Sequence, residues 1–74
     1  MITTNEIGLR LRKLRGDRTL QKVSDDTGLG VSAITMYELG QRMPRDEAKL
    51  ALAMYYGVSI DDLFFNPNFT ISEA

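Results

Sequence analysis

Residues 19–44, TLQKVSDDTGLGVSAITMYELGQRMP, decide the fold, because they read as two short helices joined by a turn centred on glycine. Thr19 is a hydroxyl-bearing cap for a helix from Leu20 to Thr27. Gly28 can take positive φ at that helix's C-terminus without a Cβ penalty, and Leu29 can then fold back on the helix it ends. A second helix restarts almost at once, from about Val31 to Leu39, and Gly40 ends it. Val23, Ile34 and Tyr37 are apolar where two steeply crossing helices would share a core, and Leu20 and Ser24 also point inward. The polar residues between them lie outside, so the second helix keeps one face for solvent.

On the N-terminal side, Ile7, Leu11 and Leu14 are spaced as one buried stripe, which predicts a helix from an Asn5 cap to Arg15, followed by a Gly16-Asp17-Arg18 turn. On the C-terminal side, Pro44 stops the preceding structure and introduces a helix from Arg45 or Asp46 to Tyr56. Its near-continuous apolar run from Leu50 predicts burial on more than one side, and Gly57 ends it. Ser59 caps a short fifth helix with Asp61 and Asp62 in the first turn, where the dipole favours anions. Asn66-Pro67 ends regular structure, and residues 68–74 are expected to be loose. The expected fold is all-α, five helices in one domain over residues 1–74, with an ordered core of about 5–65 and a tail of 66–74.

Composition narrows the chemistry. Seventy-four residues are near the lower limit for a core that stands alone. Cysteine and histidine are both absent, which removes disulfides, thiolate metal sites and the commonest zinc ligand and general base, so no metal or cofactor is expected. Asp25-Asp26 and Asp61-Asp62 are adjacent pairs whose side chains diverge by about 100° on a helix and cannot flank one bond. Gly28-Leu29-Gly30 lacks the third glycine and the preceding strand of a phosphate loop. Catalysis is not expected. The opening MITTNEIG has no basic-then-apolar signal pattern and no apolar run approaches a membrane span, so the expectation is a cytoplasmic protein.

The whole pattern resembles the helix-turn-helix of the phage Cro and lambda-repressor type, the xenobiotic response element family of bacterial regulators. The resemblance covers about residues 5–65 and rests on Gly28-Leu29 at the turn, Ile34 and Tyr37 at buried positions, and Glu38-Leu39-Gly40-Gln41-Arg42 closing the second helix. Pro44 and the closing Tyr56-Gly57-Val58-Ser59-Ile60-Asp61-Asp62-Leu63-Phe64 complete it. It implies a lambda-repressor-like DNA-binding domain: a transcriptional regulator, expected to be a repressor, that inserts helix 31–39 into the major groove of double-stranded DNA as a homodimer. The alternative is a protein-interaction module, such as an antitoxin or anti-repressor, on the same fold.

Carried onto this sequence, the resemblance assigns base contacts to Val31, Ser32, Thr35 and Met36. None of them can form the bidentate pairs that glutamine, arginine or asparagine make with purines. Two hydroxyls and two apolar groups suit thymine methyls and modest discrimination. Phosphate contacts fall to Thr19, Gln21, Lys22, Gln41 and Arg42. The sequence departs from the family at Leu20 and Leu39, where relatives carry polar residues that reach the backbone, and the connection from Leu14 to Val23 is shorter than is common. Glu38 opposes its helix dipole and needs a cation, and the resemblance supplies Arg15 as a structural ion-pair partner. Candidate dimer contacts are Met54, Tyr55, Phe65 and Phe69.

A net charge of −1 is unusual for a nucleic-acid binder, but the charge is polarised. Residues 1–22 balance to +4, residues 23–49 to −2 and residues 50–74 to −3. The basic first third and Arg42 are expected nearest the phosphates.

Overall fold

Thr3, rather than Asn5, caps the first helix: its hydroxyl accepts the Glu6 N–H at 3.1 Å and sets the cap two residues earlier than the sequence suggested. In the computed structural model, which describes residues 2–69, the elements are α1 (Thr4–Arg15), α2 (Leu20–Thr27), α3 (Val31–Glu38), α4 (Asp46–Tyr56) and a closing π-type turn (Asp61–Phe65). Among the described residues there is no strand. Residues 70–74 of the expected loose tail lie outside the described residues, whereas Asn68 and Phe69 are tied back: the Asn68 N–H donates to the Asn66 side chain at 2.9 Å, and the Arg10 guanidinium lies over the Phe69 ring.

Ile7, Leu11, Tyr37, Ala48, Leu52, Ala53, Leu63 and Phe64 form one buried cluster, and Val23 and Ile34 are fully enclosed as well. Each fully buried aliphatic side chain contributes roughly 1.5–3 kcal/mol, enough for a short chain without disulfides. α1 packs chiefly on α3, and α4 on α2. The α1–α3 approach is closest at Gly8, where an added Cβ would collide with the backbone carbonyls of Tyr37 and Glu38. At the other end of α1, Asn5 rests against Gly40, whose positive φ closes α3 with the Gln41 N–H bonded back to Met36 at 3.0 Å.

Two expectations are overturned by packing. α4 is buried on one side only, through Ala48, Leu52 and Ala53; Leu50 and Met54 face solvent, because among the described residues no element covers them. Arg10 does not join the basic surface. It is 8% exposed and donates to the carbonyls of Asp62 at 3.0 Å and Leu63 at 3.3 Å, so its guanidinium clamps the π turn onto α1.

Candidate nucleic-acid interface

The α2–α3 turn is braced by its own polar side chains. The Ser24 hydroxyl donates to the Leu29 carbonyl at 2.6 Å, and the Thr27 hydroxyl accepts the Leu29 N–H at 3.2 Å while donating to Val23. Gly28 sits in the left-handed region at φ 81°. The inward lean expected of Ser24 thus serves the turn. Thr19 caps α2 by accepting the Lys22 N–H at 3.0 Å, which spends its hydroxyl acceptor on the helix.

α3 begins at Gly30 with no side chain capping its first N–H groups. Of the four residues expected to face bases, Ser32 is exposed and Val31, Thr35 and Met36 are half-exposed. The Thr35 hydroxyl proton already goes to the Val31 carbonyl at 2.9 Å, leaving its oxygen as an acceptor and its methyl as an apolar contact.

The frame behind α3 is ionic as well as apolar. Arg15 Nε donates to Glu38 Oε2 at 2.8 Å and Nη2 to Oε1 at 3.0 Å, a bidentate pair that is mostly enclosed. The hydrogen bond to Glu38 raises the Arg15 pKa further. Arg15 Nη1 also donates to the Arg18 carbonyl at 2.8 Å, so one side chain ties α1 to both α3 and the turn into α2.

The cations and polar groups expected on phosphates divide into two sets. Gln21 donates to Asp25 at 2.9 Å, and Lys22 pairs with Asp26 at 3.3 Å, each one turn along α2. Arg18 stacks over Tyr55 and Tyr56 and donates to the Leu14 carbonyl. Gln41 and Arg42 are exposed in the loop after α3. Arg12, Lys13, Arg42 and Arg45 are exposed with no side-chain hydrogen bond or ion pair among the described residues. Arg42 and Arg45 line one open cleft of about 520 Å³ with Tyr37 and Met43. Arg45 was missed by sequence reasoning, which took it only as the edge of α4; its place beside Arg42 was the available signal.

Two of the candidate dimer residues are engaged within the chain. The Tyr55 hydroxyl donates to Asp26 Oδ2 at 2.6 Å, which lowers the Asp26 pKa and raises that of Tyr55, and Phe69 is covered by Arg10. Met54 and Phe65 are 72% and 59% exposed, and Leu50 joins them as an outward residue of α4.

A short helix that starts freely after a braced glycine turn, backed by a fixed helical frame, defines a helix-turn-helix DNA-binding domain. The family profile described as Helix-turn-helix matches residues 9–63, and the chain belongs to this family, in its Cro/C1-type or xenobiotic response element branch. No curated protein and no solved structure gives a significant match. The chain is therefore a DNA-binding regulator with a lambda-repressor-like fold. Among the described residues no helix is long and apolar enough to cross a membrane.

Proposed function

We propose that the chain is a sequence-specific repressor that places the N-terminal half of α3 in the major groove of double-stranded DNA and binds as a homodimer. The supporting observation is the exposed Ser32 in the uncapped first turn of α3, with Val31, Thr35 and Met36 beside it at the surface. Val31, Met36 and the Thr35 methyl favour thymine, while Ser32 and the Thr35 oxygen accept or donate without strong preference. Discrimination is about 1 kcal/mol per base pair, below a good bidentate contact.

Phosphates supply the rest. Gln41 and Arg42 reach them from the loop after α3, and Lys13 and Arg45 add exposed charge. Thr19, Gln21 and Lys22 contribute through the start of α2, weakened by the competing Asp25 and Asp26. Leu50, Met54 and Phe65 form the dimer contact in place of Tyr55 and Phe69.

Selection of bound duplexes from a random pool, followed by titration at two salt concentrations, tests this reading. The expected site has thymines under α3 in two half-sites about one helical turn apart. The log–log salt slope per protomer is expected to be about −4 or shallower. Invariant guanines under α3, or no enriched sequence at all, would overturn it.

A further inference from the structure

Beside α3 lies a depression of about 270 Å³ whose apolar lining comes from three elements: Leu9 of α1, Leu20 of α2 and Leu39 at the end of α3. Leu9 and Leu39 are 63% and 59% exposed. Single exposed leucines are ordinary, but two exposed leucines converging with the half-buried Leu20 on one concavity form a patch seeking a partner. The polar groups around it do not suit a phosphodiester: Arg15 and Glu38 saturate one another, and the leucines offer a phosphate no donor. Arg12 is the cation left on the lining, exposed and without a carboxylate among the described residues.

From this placement we infer that the depression docks an acidic amphipathic helix of a partner protein. Two apolar side chains one turn apart seat against Leu9, Leu20 and Leu39, and a carboxylate meets Arg12. The concave form of the lining favours a side-chain knob over a lipid surface, which apolar residues enter from a crest. Thr35 lines the same depression, so the docked helix covers part of the reading face and excludes DNA. That exclusion rests on the proposed DNA-reading role, whereas docking itself does not.

The test is selection of helices from a display library of single helical scaffolds, randomised on one face, against the full chain. Enriched helices should carry apolar pairs one turn apart flanked by Asp or Glu. They should bind Leu9→Gln and Leu39→Gln at least about tenfold more weakly, the effect of losing one half-buried leucine contact. Arg12→Gln should weaken them less, Asp46→Asn at the exposed start of α4 should leave them unchanged, and a duplex from the selected DNA pool should displace them. Because all four residues are exposed, thermal melting of these variants should match the parent. Enriched helices without carboxylates, or with binding indifferent to Leu39, would overturn the inference. So would phosphatidylglycerol vesicles that bind the chain and release it on Leu39→Gln, which would assign the patch to a membrane. Failure to bind any duplex would remove the DNA-reading role and the exclusion alone, since helix binding is measured without DNA.

Discussion

At the α1–α3 junction, Gly8 lets two backbones touch and the Arg15–Glu38 pair closes over them, mostly shielded from water. At the α2–α4 junction, the polar tie is a hydroxyl–carboxylate hydrogen bond at the surface, from Tyr55 to Asp26, with Arg18 stacked above the ring. The first contact tolerates almost no displacement, because backbone atoms cannot rotate aside. The second can break and re-form with its surroundings intact. Orientation of α3 is therefore set by α1, and α4 steadies α2 against it.

The sharpest way to break this contrast is Gly8→Ala. Its methyl group meets two carbonyls, so stability should fall by about 3 kcal/mol despite the better helix propensity of alanine. Urea unfolding that matched the parent would remove the close approach as the organising contact. Arg15→Ala comes next, with an expected loss of about 2 kcal/mol, because Glu38 is left partly enclosed without its cation. DNA affinity should fall with it, and an unchanged melting midpoint would count against the pair.

Tyr56 lies between the two junctions, its pKa pushed up to about 12 chiefly by burial and next by the Glu38 charge. A folded-state value above the unfolded one, about 10, means that stability is fully present below pH about 10 and drains away as pH rises through the folded value. Alkaline melting should show that loss, and a flat profile across this window would place Tyr56 in water. The smallest effect belongs to Tyr55→Phe. Asp26 is held below the usual carboxylate range chiefly by Tyr55, then by Lys22. Its contribution is therefore present above pH about 4 and lost as pH falls through the lower folded value. Tyr55→Phe should lower the neutral-pH midpoint by less than Arg15→Ala, and the difference from the parent should shrink on acidification. A gap that stayed constant down to acid pH would mean that the hydroxyl acts through packing alone.

Much of the scaffold was legible from local signals. Thr19, Gly28, Gly40 and Gly57 mark helix ends where they were expected, because capping and left-handed φ are properties of a few consecutive residues. The Asn5 cap was misplaced because Thr3 and Asn5 both suit that role, and only the packing of Asn5 on Gly40 separates them. The burial of α4 was over-read, since an apolar run does not say how many neighbours exist to cover it. Leu9 was overlooked although it stands off the Ile7–Leu11–Leu14 stripe, where an apolar residue has no core to join.

By itself the sequence determined the order of the helices, the glycine turn before α3 and the lack of fork-bearing side chains on its outer face, all consequences of residue type and short-range spacing. Only the tertiary structure decided what each arginine does. Arg10 holds distant carbonyls, Arg15 holds a carboxylate, Arg18 lies on tyrosine rings, and Arg12 stays exposed on the rim of the leucine-lined depression. A guanidinium on a long side chain takes whichever acceptor the fold brings within reach, and that proximity is written between helices rather than along them.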